Sequence, residues 1–148
     1  MKHEQKHMHW LPAVNPVQEA DMLSPPVLAY IGDTIYDLFI RIYLVTNHPE
    51  NAHKLHVRAI GFVSAPAQAC AVYALMDKLT EQEQAVFRRG RNAKTFTTPK
   101  NASVADYHAA TGFEALLGWL YLKDESARLL EILHLALNEM TSKTKGEE

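Results

Sequence analysis

The sequence predicts an all-α fold, and three observations predict it. Apolar residues recur at three- and four-residue spacing in several separate stretches, helix-capping patterns precede those stretches, and no stretch alternates apolar and polar residues as a half-buried strand would. The chain has 148 residues, with hydrophobic residues at 47% and charged residues at 22%. That length suits one ordinary domain, and that mixture belongs to a globular protein with a real core. We expect a flexible N-terminal segment over 1–18, one domain over 19–140 and a polar C-terminal tail over 141–148.

Residues 1–9 are polar and rich in histidine and lysine, and Pro12 and Pro16 follow within the segment that runs to Gln18. His3, His7 and His9 read as a solvated tail and not as a ligand set, because no helical spacing fixes them. The segment has no apolar stretch that would serve as a secretory signal, and no apolar run in the chain reaches the roughly 18 residues that span a bilayer. A cytoplasmic protein without membrane association is therefore expected. The single cysteine, Cys70, has no partner for an internal disulfide and reads as a small core hydrophobe in a reducing compartment.

The first helix should begin after Ser24, a good N-cap, with Pro25 at the first helical position, and run to about Thr46. Leu28, Ile31, Ile35, Leu38 and Ile42 make its expected core face, while Asp33 and Asp37 fall one turn apart on another face. Gly32 is unfavourable inside a helix by about 1 kcal/mol relative to alanine, which suggests that another helix or a bound group approaches there. Asn51 to Ile60, carrying His53, Lys54, His56 and Arg58, reads as a second, basic helix. Ser64 opens a third, through Gln68, Val72, Leu75 and Met76. Thr80 with Glu83 forms a capping-box pattern for a fourth helix ending near Gly90. Turn-forming residues then fill the stretch from Arg91 to Val104. Ser103 with Asp106 caps a long fifth helix whose apolar side is Ala110, Phe113, Leu116, Leu117, Leu120 and Tyr121. Asp124 is the expected cap of a last helix through Leu129, Leu133 and Leu137.

Two acidic residues lie inside strongly apolar helices: Asp33 in AYIGDTIYD and Glu114 in TGFEALLGWLYL. A carboxylate shielded from water needs a partner or a metal, whereas one on the polar side of an amphipathic helix needs neither. The residues alone leave these two possibilities open. A second feature is FRRGRNAKTFTTPKN, Phe87 to Asn101, which holds Arg88, Arg89, Arg91, Lys94 and Lys100 and no acid. Such a basic, turn-rich segment suits phosphate contacts, which position a nucleic acid without reading its sequence, or it is a solvated surface. The formal net charge of -2, from 15 basic and 17 acidic residues, runs mildly against a nucleic-acid partner, so the distribution of charge matters more than its sum. The basic segment leads directly into the helix that carries Glu114.

At these residues the sequence resembles the ribonuclease III family. Tyr30-Ile31-Gly32-Asp33-Thr34-Ile35-Tyr36-Asp37 is similar to the family signature, and Phe113-Glu114-Ala115-Leu116-Leu117-Gly118 to its second acidic motif. KLHVRAIGFVSAPAQA and FRRGRNAKTFTTPKN extend the likeness to the short subfamily, Mini-ribonuclease III, which lacks the double-stranded-RNA-binding domain. The resemblance covers most of the chain from about Leu23 to Leu122. It implies the helical ribonuclease III endonuclease-domain fold over 19–140, a homodimer, and Mg²⁺ as cofactor with Mn²⁺ as a substitute. It also implies maturation of large-subunit (23S) ribosomal RNA precursors by cleavage of double-stranded RNA, leaving 5′-phosphate and 3′-hydroxyl ends.

Carried over by position, Asp33 and Glu114 match the central catalytic and metal-holding pair; from the basic segment itself, Arg88, Arg89, Arg91, Lys94 and Lys100 are the expected RNA contacts. Ala29, one turn before Asp33, and Thr111, three residues before Glu114, replace two acids of the full-length family, which implies weaker metal binding. Their loss also supports a competing reading, a non-catalytic double-stranded-RNA-binding or ribosome-associated protein with the same fold. Tyr30 and Tyr36 read either as dimer contacts or as core. Asp37 either shapes the site or faces water. His108 reads as a surface residue near the start of the fifth helix, and Trp119 and Tyr121 as packing residues.

Overall fold

The computed structural model describes residues 19–94 and 103–146, with side chains through 142. Six helices are found, with no strand among the described residues: α1 (Pro25–Asn47), α2 (Ala52–Val63), α3 (Ala65–Leu75), α4 (Glu81–Arg91), α5 (Val104–Leu122) and α6 (Ser126–Gly146). Short 3₁₀ turns over Ala20–Met22 and Met76–Lys78 precede α1 and follow α3. The all-α expectation holds. The expected N-terminal segment over 1–18 lies outside the described residues, and α6 runs on through polar sequence to Gly146.

Helix α5 is the hub and packs chiefly on α1, α4 and α3. Its burial exceeds one face: Ala109, Ala110, Gly112, Phe113 and every residue from Ala115 to Leu120 are buried. A helix that is apolar nearly all round is one surrounded by others. Contact with α1 is close because both helices place glycine at the crossing. A Cβ on Gly32 would stand 1.7 Å from the Glu114 carbonyl oxygen, and one on Gly118 would stand 2.0 Å from that of Leu28. The approach expected at Gly32 is thus made by α5.

The core face of α1 differs from the expectation. Its buried residues are Leu28, Ala29, Gly32, Tyr36, Ile40 and Leu44, while Leu38 and Ile42 are exposed and Ile31 and Ile35 only partly covered. The helix carries two apolar stripes, and periodicity alone does not say which faces inward. The glycine contact with α5 decides it.

Local chemistry explains the helix ends. Ser24 occupies the N-cap position of α1 without a side-chain bond, since Pro26 has no N–H and the Val27 N–H donates to the Ser24 carbonyl at 3.0 Å. The Thr80–Glu83 capping box is fully formed, and the Asn51 and Ser103 side chains accept from Lys54 and Asp106 N–H. Asp124, the expected cap, lies in the turn between α5 and α6. It takes φ 60°, and bonds from Glu125 N–H to Leu120 and from Asp124 N–H to Tyr121 close α5 in a left-handed C-terminal turn, so α6 starts at Ser126.

Candidate active site

The carboxyl groups of Asp33 and Glu114 meet at the α1–α5 crossing, within hydrogen-bonding reach of each other. The meeting follows from Gly32: with no side chain there, the α5 backbone at Glu114 lies directly against α1, and the next residue is Asp33. Asp33 is exposed, whereas Glu114 is largely shielded. Burial above all, then the Asp33 charge and the hydrogen bond with Asp33, push the Glu114 carboxyl up to about 8, against a smaller opposing effect of a Gln68 hydrogen bond. A carboxyl held this far from its ordinary range beside a second carboxyl marks a site where a cation would restore the charge.

Sequence reading placed Gln68 in the third helix without giving it a part in the site. Its Nε2 donates to the Val63 carbonyl at 2.9 Å and to Glu114 Oε2 at 3.3 Å. Its Oε1 is buried without a hydrogen-bond partner among the described residues. The available signal was a glutamine inside the apolar run APAQACAVYAL. Tyr36, a possible dimer contact on sequence grounds, is core: it is 1% exposed, its hydroxyl donates to the Phe62 carbonyl at 2.8 Å, and its ring meets Phe113 edge-on. Burial foremost, and then the nearby Glu114, push its hydroxyl well above the usual phenol range. Tyr30, by contrast, is 78% exposed.

Asp37 pairs with Arg41 at 3.0 Å, on the surface. Ala29 is buried, and the Thr111 hydroxyl donates to the Tyr107 carbonyl at 3.0 Å, so neither replaces a missing acid. No group of three or more His, Cys, Asp or Glu that could hold a metal is found among the described residues. Two adjacent carboxylates, Asp33 and Glu114, are nevertheless hard oxygen donors, which fit a divalent cation of the Mg²⁺ type that keeps several waters.

Arg88, Arg89 and Lys94 are exposed at the end of α4 and just beyond it. Arg91 is partly covered, its guanidinium 5.6 Å from the Phe87 ring centre. Lys100 lies outside the described residues. Gly90 of α4 packs on Gly112 of α5, where a Cβ would stand 2.8 Å from the Gly112 Cα, so this basic end sits beside the turn of α5 that precedes Glu114. Two expectations are corrected here. Cys70 is exposed, because α3 turns that side away from α5 and α6. His108 is partly covered, with its Nδ1 buried and without a hydrogen-bond partner among the described residues. Trp119 is a packing residue as expected, donating to Asp21 at 2.7 Å.

Comparison with known proteins agrees with this architecture. Residues 26–125 match the Ribonuclease III domain family. A Mini-ribonuclease 3 of Clostridium tetani is 45% identical over 133 residues, covering 88% of each chain. Another, of Symbiobacterium thermophilum, is 49% identical over 114 residues, covering 77% of this chain and 88% of that one. A crystal structure of a protein from Fusobacterium nucleatum superposes with a TM-score of 0.73 at 27% identity, over 88% of this chain and 100% of that one. The chain therefore belongs to the ribonuclease III family of endoribonucleases, and its all-helical fold is that family's. Within the family it falls in the Mini-ribonuclease 3 branch. Among the described residues no single helix is long and apolar enough to cross a membrane.

Proposed function

We propose that this endoribonuclease cleaves double-stranded RNA at the Asp33–Glu114 pair with Mg²⁺ as its cofactor. The observation that carries the reading is the mostly buried Glu114 carboxyl pressed against Asp33, an arrangement unfavourable in itself and relieved by a cation. The two carboxylates, with water, would hold the ion. The chemistry that Mg²⁺ supplies when bound is Lewis acidity toward the scissile phosphate and the attacking water.

The chain's own residues do the rest. Asp33, on the open side of the pair, faces the solvent from which RNA arrives. Arg88, Arg89, Arg91 and Lys94, together with Lys100, bind phosphates on either side of the cut and fix the duplex by its backbone, the way double-stranded RNA is recognised. Water adds to phosphorus as the bond to the 3′ oxygen breaks; the product ends are a 5′ phosphate and a 3′ hydroxyl, the latter protonated from solvent. The natural substrate on this reading is the precursor of large-subunit ribosomal RNA in the cytoplasm.

A homodimer accompanies this reading. Val27, Leu38, Ile42 and Val45 make an exposed apolar stripe on the side of α1 away from α5, the kind of surface a second copy covers. A two-fold dimer would present one site to each strand of the duplex.

The test is incubation of long duplex RNA with the protein, with and without Mg²⁺, beside Asp33→Asn and Glu114→Gln. Metal-dependent cutting lost in both folded variants is the expected result. Full cutting by either one removes the assignment, and salt-sensitive binding without any cutting by the parent protein would make it a silent relative.

A further inference from the structure

Gln68 is an expensive residue for its place. It is 3% exposed, among Ala69, Ala71, Val72 and Leu75 of α3, where a leucine would pack without any polar atom to satisfy. Buried amides are as a rule fully hydrogen-bonded, and here, among the described residues, only the nitrogen is. The orientation of the amide is set from outside the site. Val63 is the last residue of α2, and its carbonyl is one of those a helix end leaves without an intrahelical donor. It takes one N–H of Gln68 at 2.9 Å, which directs the other N–H of the same group toward Glu114 Oε2 at 3.3 Å. Turning the amide over would set oxygen against oxygen at Val63.

We propose that Gln68 is a positioning residue for Glu114: its amide, anchored on Val63, holds the Glu114 carboxylate in the orientation that faces Asp33, so that the pair is preformed for a divalent cation. The inference rests on Asp33 and Glu114 being the cation-holding pair. Gln68 acts through Glu114, and its place is to link the end of α2 and the middle of α3 to a side chain on α5. Partners that orient a metal's ligands in this way are worth about 10–100-fold in metal affinity.

The measurement is the Mg²⁺ concentration for half-maximal thermal shift of the full RNA-free chain, made on the parent, Gln68→Met, Gln68→Leu and Asp33→Asn. Melting in EDTA, duplex-RNA binding in EDTA and the Mg²⁺ dependence of cleavage accompany it. In the two Gln68 variants the half-maximal Mg²⁺ concentration should rise about tenfold, in the thermal shift and in cleavage alike. Cleavage should recover at saturating Mg²⁺, with melting in EDTA and RNA affinity close to the parent's. A folded variant with an unchanged Mg²⁺ midpoint overturns the proposal. So does failure of both variants to fold, which would make Gln68 a packing residue. If Asp33→Asn leaves Mg²⁺ response and cleavage intact, the pair itself is misassigned; if Asp33→Asn abolishes both while the Gln68 variants match the parent, Gln68 alone is.

Discussion

Glu83 and Glu114 are both glutamates held largely away from water in one helical body, and their surroundings drive them in opposite directions. At Glu83 burial raises the carboxyl, but the Arg128 fork and the Thr80 backbone N–H outweigh it and hold it below the usual carboxylate range. Arg128 donates to both Glu83 oxygens at 2.8 Å and to the Lys78 carbonyl at 2.9 Å, so the start of α4 is tied to α6 with every charge answered. At Glu114 the neighbours are another carboxyl and a glutamine, and no cation among the described residues pairs with it. A buried acid that is fully partnered belongs to the architecture, and one whose nearest charged neighbour has the same sign belongs to a site.

The difference can be broken most severely at the site itself. Asp33→Asn should lower the cleavage rate on duplex RNA by about a thousandfold, ~4 kcal/mol of barrier, with helical content by circular dichroism unchanged. Next in size is the crossing that creates the pair. Gly32→Ala forces a Cβ into the α5 backbone and should destabilise the protein by about 3 kcal/mol in urea unfolding; a neutral result would mean that the helices separate freely and that the carboxyl contact is not imposed by packing.

On the architectural side, Arg128→Met leaves Glu83 without its fork and should remove about 2 kcal/mol of stability while per-molecule cleavage of the folded fraction stays at the parent value. A loss of activity larger than the loss of folded protein would mean that the α4–α6 tie also serves the site.

The opposite pKa directions also give opposite pH dependences. Glu114 has a folded value of about 8 against an ordinary 4.5, so the metal-free folded protein takes up a proton across that interval and loses stability as pH rises from about 4.5 to 8. Glu114→Gln removes this loss. It should stabilise the metal-free protein at pH 8 by on the order of 2 kcal/mol and change little at pH 4.5, a comparison that thermal melts in EDTA at the two pH values would decide. Glu83, held low, works the other way: its contribution is present above its unfolded value and is lost as pH falls below it.

The smallest effect per residue is expected where charge is exposed and has no ion pair among the described residues. Arg88→Ala with Arg89→Ala should weaken duplex-RNA binding about tenfold at moderate salt and flatten its salt dependence, leaving stability unchanged. Salt titrations of binding in EDTA would show it, and an unaltered slope would place the RNA elsewhere.

Much was legible in the one-dimensional pattern. The all-helical class, the Thr80–Glu83 box, the Gly32 approach, and Asp33 and Glu114 as notable acids follow from local rules, because capping, helix periodicity and the improbability of acids in apolar runs are properties of neighbouring residues. What tertiary packing alone decided is the inward stripe of α1, the burial of α5 on nearly every side, and the left-handed turn at Asp124 between α5 and α6. It also decided that Asp33 and Glu114 touch, that Tyr36 is core, and that Gln68 from a third helix holds Glu114. These depend on which helix faces which. That is settled where two glycines let α1 and α5 approach backbone to backbone, a contact between residues more than eighty positions apart that no local pattern contains.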